Sequence, residues 1–262
     1  MTLSAEAEIE ALLGGDPAAD HGVIQVTSVT RPRDAAAPLE TIAVGPDAPR
    51  SATDRFLLSL ARARADAIVT TGKILRAEPD VRHSPLGSTE EIEALRRWRH
   101  DHLAKRDEPW SVVLSRGTSL DLDHPLFRPP ARPLLLVPEE TARRIEPAAR
   151  AAGIRVLGRP EPSLEDSLAV LAADFGCETI TVEAGPSTSR SLWGSPTRVD
   201  ELLLSIFEEH EDVPRAGAFS TEARLEAALG RPRASQSRVE ESGLWTFRRY
   251  RRNRLAPCGS DG

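Results

Sequence analysis

The chain is poor in cysteine: its 262 residues hold two, Cys177 and Cys258. The second sits in a loose polar tail, so no disulfide or zinc framework is supported. Long apolar runs are missing as well. No stretch approaches the roughly 18–20 residues that a membrane helix needs. The opening MTLSAEAEIEALL is acidic and lacks the basic start and apolar centre of a secretory leader. A cytoplasmic protein is the expectation. There is no excess of positive charge: 34 Lys and Arg against 40 Asp and Glu leave −6, which argues against a general nucleic-acid binder. Three catalytic signatures are absent: the P-loop spacing, the G-x-G-x-x-G dinucleotide fingerprint and the G-x-S-x-G nucleophile elbow. The six histidines show no metal-ligand spacing.

What is present is an alternation of short β-branched runs with helical patterns. Strands are expected at 22–29, 41–44, 66–71, 110–114, 133–137, 154–157, 179–183 and 199–207, with a closing hairpin of 234–240 and 243–250 around Glu241-Ser242-Gly243. Helices are expected at 3–13, from Ser51, at 89–105, at 139–151, after the Ser163 cap with Asp166 three residues on, and at 221–229. Strands alternating with helices through the middle imply a mostly parallel sheet covered on both faces. The fold class is therefore α/β, a three-layer mixed sheet with an antiparallel C-terminal hairpin. No internal repeat divides the chain. Residues 1–21 read as a helical extension, 22–251 as one domain and 252–262 as a flexible tail.

Ligands of open α/β sheets bind outside the carboxyl ends of the strands, and three such ends carry suggestive chemistry. Ile68-Val-Thr-Thr-Gly-Lys73 places a glycine and a lysine after a strand, which suits a phosphate; an ordinary glycine turn with a solvated lysine is the blander alternative. Val113-Leu-Ser-Arg116 offers a hydroxyl and a planar guanidinium fork; a solvated strand end is the alternative. Glu183-Ala-Gly-Pro-Ser187 is the most informative. Gly185 permits a sharp turn or a close approach, Pro186 suits a first helical position, and Ser187, Thr188 and Ser189 add hydroxyls beside free N–H groups. A plain helix cap is the alternative for this third end; together the three describe a candidate nucleotide-binding enzyme. The acidic run Glu208–Asp212 reads as a solvated face. The basic run Arg248–Arg254 is either a place for an acidic partner or a charged edge strand that resists aggregation.

In this order the three loops resemble the dihydrofolate-reductase-like fold, and more closely the pyrimidine reductase of riboflavin biosynthesis, the C-terminal half of bacterial bifunctional deaminase–reductases. The resemblance runs through Leu60-Ala-Arg-Ala-Arg-Ala-Asp-Ala-Ile68, Val69-Thr-Thr-Gly-Lys73, Arg76-Ala-Glu-Pro79, Trp110-Ser-Val-Val-Leu-Ser-Arg116, His124-Pro-Leu-Phe127, Val182-Glu-Ala-Gly-Pro186, Val199-Asp-Glu-Leu-Leu203 and Trp245-Thr-Phe-Arg-Arg-Tyr250. It covers roughly 22–251. The zinc-binding deaminase half has no counterpart in these residues.

The resemblance implies NADPH as cofactor, a ribosylated pyrimidine phosphate as substrate and a homodimer. It implies cofactor contacts from Thr71, Gly72, Lys73, Ser115, Arg116, Ala184, Gly185, Pro186, Ser187 and Thr188, with Ser115 and Arg116 on the adenosine 2′-phosphate. Glu183 and Arg76 fall in catalytic positions, and Thr27, Ser28 and Arg31 on the substrate side. The family's Ser-Leu-Asp-Gly is replaced here by Gln25–Pro32, Ala184 stands for its first glycine, and Lys73 for its threonine. A non-catalytic NADPH-binding or dimerisation homologue, and a reductase of another small substrate, remain open. The apolar strand 199–207 is either a dimer edge or an interior strand.

Overall fold

The computed structural model describes residues 5–34, 36–117, 120–208 and 213–252. Several of its helices begin where hydroxyl side chains satisfy the first free amides. Ser51 accepts from the Asp54 amide at 2.8 Å and opens α2 (Ala52–Arg64). Ser88 and Glu91 form a reciprocal capping box for α4 (Thr89–Leu103), and Ser163 and Asp166 form another for α6 (Leu164–Phe175). Thr221 caps α8 (Glu222–Leu229). α6 stops at Gly176, whose φ of 64° is a left-handed conformation that glycine adopts freely. The other helices are α1 (Ala5–Leu13), α3 (Gly72–Ala77), α5 (Glu139–Ala151) and the single turn α7 (Pro186–Ser189).

Seven strands run parallel in the spatial order β8 (Glu201–Phe207), β1 (Gly22–Thr30), β7 (Thr179–Val182), β3 (Ala67–Thr71), β4 (Trp110–Leu114), β5 (Arg132–Pro138) and β6 (Arg155–Arg159). β11 (Gly243–Arg251) joins β8 antiparallel, and β10 (Ala234–Glu240) closes that edge as the other arm of the hairpin. A short strand β2 (Glu40–Ile42) folds back on the end of β1 and carries β9 (Arg215–Ala218). On one face α1, α2 and α4 bury Leu12, Leu60, Leu95 and Trp98 against Ile24, Leu203, Trp245 and Phe247. On the other, α6 and α8 cover Val69, Val112, Leu134, Ile180 and Leu204. α5 packs with Val113 and Leu135. The sheet is thus the middle of three layers.

Several expectations change. β8 is an interior strand with all seven residues buried between β1 and β11, so its apolarity is satisfied within the chain and gives no argument for a dimer. The segment expected at 41–44 is the strand 40–42, and α3 and β9 had no clear signal. α1 is part of the main body: Ile9, Leu12 and Leu13 lie in the core with Phe247. The basic C-terminal run finds its carboxylates inside the chain. Arg248 pairs with Glu222, Arg249 and Arg251 with Asp20 and Glu201, and Arg252 with Asp200. Of the expected tail, 253–262 lies outside the described residues, as do 209–212 of the acidic run.

Candidate active site

β7 is the shortest of the parallel strands, and this makes a crevice. Its last residue, Val182, stands opposite Gln25 of β1 and Val69 of β3. β1 continues through Thr30 and β3 through Thr71, so both neighbours outrun it. One more bond, from the Glu183 amide to the Val69 carbonyl at 2.9 Å, holds the exit before Ala184 and Gly185 leave the sheet. The strand order also reverses around β7, the position where such sheets bind ligands.

The loop at this point differs from its expected form. Gly185 has φ −61° and ψ 163°, which any residue adopts, so no sharp turn requires glycine here. A Cβ on Gly185 would meet no atom within 4 Å: the space above the backbone is open. α7 is one turn long, too short for a helix-dipole argument. What remains is a set of donors. Among the described residues, the Ala184 and Gly185 amides bond to nothing, whereas those of Thr188 and Ser189 turn inward to the Gly185 carbonyl at 3.0 Å.

The adjoining strand ends are tied together tightly. Thr71 caps α3, accepting from the Ile74 amide at 3.4 Å. Gly72 is buried where a Cβ would lie 2.8 Å from the Ser115 Oγ; its role is close approach of β3 to β4. Ser115 is also buried and accepts from the Gly117 amide at 3.0 Å, so its hydroxyl shapes the turn first. Lys73, Arg76 and Arg116 are exposed at this rim, with the Arg76 guanidinium over Gly72. Pro186 and Thr188 are half-buried beside them and Ser187 is exposed.

On the α2 side of the crevice, Glu183 meets Arg62 through two bonds of 2.7 Å. Arg62 is 3% exposed and also donates to the Ser84 carbonyl at 2.9 Å. Burial pushes the Glu183 carboxyl up, and the Arg62 charge more than reverses this, leaving it below the ordinary carboxylate value. Glu78, half-buried at the end of α3, is pushed up by burial and then by the Glu183 charge. The guanidinium binds Glu183 and reaches Glu78 only through its charge, so the two carboxyls are driven apart in proton affinity, as acid–base partners are. His83 is buried beside them; among the described residues neither of its ring nitrogens has a hydrogen-bond partner, and burial lowers it to about 4. Arg62 and Glu78 were not singled out by the sequence: Arg62 follows Leu60 and Ala61 by two and one positions and so lies off their helix face, and its burial comes from elements packed over α2 that no local pattern reports.

The substrate-side residues are not brought together. Thr27 and Ser28 are consecutive on a strand and so face opposite sides of the sheet. Thr27 accepts from Gln25 at 3.1 Å, and Gln25 accepts from the Trp193 indole at 2.8 Å. Ser28 donates to Asp54 at 2.8 Å, a carboxyl that burial pushes up. Arg31, the third residue expected on the substrate side, is held by two carboxylates. It pairs with Glu208 at 2.8 Å and with Glu222, and the Glu208 bond raises its own proton affinity. A phosphate would have to displace two carboxylates.

The fold is a three-layer α/β domain of the dihydrofolate-reductase-like type, with the crevice at the carboxyl end of β7. The chain belongs to the RibD C-terminal domain family, whose pattern matches residues 28–207. Among solved structures it is similar to a pyrimidine reductase-like protein from Corynebacterium diphtheriae, at 20% identity and TM-score 0.64, covering 95% of this chain and 99% of that one. It is also similar to the riboflavin biosynthesis reductase Rib7 of Saccharomyces cerevisiae, at 12% identity and TM-score 0.53, over 94% and 98% of the two chains. RibD of Acinetobacter baumannii matches at 16% and 0.51, over 88% of this chain and 58% of that longer one. No curated protein matches. No helix among the described residues is long and apolar enough to cross a membrane.

Proposed function

We propose that the chain is an NADPH-dependent reductase that converts the ribosyl group of a pyrimidine ribosylamine phosphate to a ribityl chain. The observation that carries this is the crevice at the end of β7. It has open space over Gly185, two unused amides at Ala184 and Gly185, and a charge-separated carboxyl pair on its wall. These groups suit a diphosphate, with Lys73 and Arg116 at the rim for the remaining phosphate charge. The nucleotide, when bound, supplies a hydride. For the atoms to balance, hydride goes to C1′, the C1′–O4′ bond breaks, and a proton goes to O4′. Glu78 holds that proton, since its carboxyl stays neutral to higher pH than an ordinary one; Glu183 stays charged on Arg62 and fixes the local field. Turnover therefore falls as pH rises through the elevated Glu78 value. Glu78→Gln should lower kcat by about 10²–10⁴-fold and remove that alkaline limb, with NADPH affinity unchanged. A homodimer belongs to this reading on resemblance alone.

The test is NADPH oxidation, followed optically, with the ribosylaminopyrimidine phosphate as acceptor. The pinned Arg31 favours a second reading, a reductase whose acceptor lacks that phosphate. Tight NADPH binding without oxidation by the riboflavin-pathway intermediate would decide for it.

A further inference from the structure

β1 changes its exposure along its length. Ile24 and Gln25 are buried, Val26, Thr27 and Ser28 are half-buried, and Val29 and Thr30 are buried again. The pairing explains this window. β7 ends opposite Gln25, and β2 begins opposite Val29, on the edge that β8 leaves free. Between them, among the described residues, no strand pairs with that edge, and the crevice reaches β1 there. Gln25, Thr27 and Val29 point to one face of the sheet. Gln25 is 2% exposed and Val29 0%, so of the three side chains it is Thr27 that reaches the opening.

A chain of hydrogen bonds sets the polarity of that hydroxyl. Trp193, at the end of the turn Arg190–Trp193 that follows α7, donates its indole N–H to the Gln25 side-chain oxygen at 2.8 Å. Phe219 packs against the indole at right angles, with the ring centroids 5.6 Å apart, and holds it in place. An indole only donates, so the Gln25 amide cannot be turned over: its oxygen faces Trp193 and its NH2 faces Thr27. The NH2 donates to Thr27 Oγ1 at 3.1 Å. An amide NH2 accepts nothing, so the Thr27 proton must point elsewhere. Among the described residues that hydroxyl donates to no group. Ser28, on the opposite face, already donates to Asp54.

We propose that the Thr27 hydroxyl is a donor aimed at the molecule that receives the hydride, taking a carbonyl oxygen or an unprotonated ring nitrogen of its pyrimidine. Gln25 and Trp193 are positioning residues that fix this polarity. The assignment rests on the reductase reading for the identity of that molecule. The unused amides of Ala184 and Gly185 and the rim cations serve the nucleotide from the β7 and β3 side, which leaves the β1 edge to the acceptor. Bonds in such a chain polarise one another, so the last donor is stronger than a lone hydroxyl. A ligand N–H in this place would leave the Thr27 proton without an acceptor, which selects against it.

The experiment titrates the full chain, loaded with oxidised nucleotide, with the ribosylaminopyrimidine phosphate. Calorimetry then reads affinity without turnover. Thr27→Val keeps the shape and removes the proton. It should weaken binding about three- to tenfold, the range for one neutral hydrogen bond, with NADPH affinity unchanged. Thr27→Ser should bind like the unaltered chain. Trp193→Phe frees the Gln25 amide to turn over and should weaken binding by a smaller factor. Adding it to Thr27→Val should weaken binding no further, since both act through one proton. Thr27→Val without effect, Thr27→Ser as weak as Thr27→Val, or additive losses in the double variant overturn the proposal and leave the reductase reading standing. Thr27-dependent binding without NADPH oxidation supports the donor and removes that reading instead. Absence of binding by the unaltered chain overturns both.

Discussion

Arg62 decides the charge state of everything around it. It is almost fully buried and holds Glu183 through both guanidinium arms. Removing one partner leaves a buried charge alone, which costs about 3–5 kcal/mol, whereas replacing both with apolar residues is often close to neutral. Arg62→Met should therefore lower the urea midpoint sharply, and Arg62→Met with Glu183→Met should recover most of the loss. Equal midpoints for single and double variants would show that the pair is not buried as described. Gly185 makes the opposite case. Its φ of −61° and empty surroundings tolerate a side chain. Gly185→Val should leave thermal stability within about 0.5 kcal/mol while lowering NADPH affinity at least tenfold, measured by fluorescence titration. Arg31 shows why single residues mislead. Its partners Glu208 and Glu222 lie 177 and 191 positions away in the chain. No local pattern reports that an arginine is already claimed.

Elements were easier to read than residues, because caps and periodicity are local. Ser163 three positions before Asp166, ahead of Leu164, Leu168 and Leu171, identifies the start of α6, and the structure has that box. Ser163→Ala should cost about 1 kcal/mol, visible as a lower midpoint in thermal unfolding. The hairpin of β10 and β11 was legible for the same reason, with Glu241 and Ser242 between two alternating runs. α3 was missed because Gly72 opens it, and glycine there signals a turn; its reason is the contact with Ser115, which is tertiary. The one-turn length of α7 was hidden because Pro186-Ser-Thr-Ser189 has the composition of a longer helix start. Strand order depends on which distant runs pair, and neither β7 between β1 and β3 nor the crevice it leaves is written in any one segment.

At the scale of the whole molecule, one carboxylate joins the two ends of the chain. Glu201 is fully buried and meets Arg64, Arg249 and Arg251 at 2.6, 3.0 and 2.9 Å. The two C-terminal arginines also pair with Asp20, just after α1. Burial alone would raise the Glu201 carboxyl; Arg64 and then Arg249 hold it far below the usual range. A depressed folded value means stability that is fully present above the unfolded value, near 4.3, and is lost as pH falls toward the folded one. Acid should therefore destabilise the protein progressively below about pH 4.3, and Glu201→Gln should flatten that part of the stability–pH curve. An unchanged slope in that variant would remove Glu201 as the cause.

The position of β7 also governs the order in which the molecule becomes itself. β1 is made first, yet its long partners are β7 and β8, which begin at residues 179 and 201. Only the short β2 lies near it in the chain. β3 to β6 pair with one another in sequence order, and among them only β3 takes a later strand, β7, on its other side. A ribosome delivering this chain thus releases four strands able to pair among themselves while the first strand waits, with only the short β2 against its end, until residue 179 is made. Closing such distant contacts is slow, and a waiting apolar strand invites association with other chains. Nascent chains halted before residue 179 should protect β3 to β6 from hydrogen exchange and leave β1 open, and the crevice should form only when β7 slides in between.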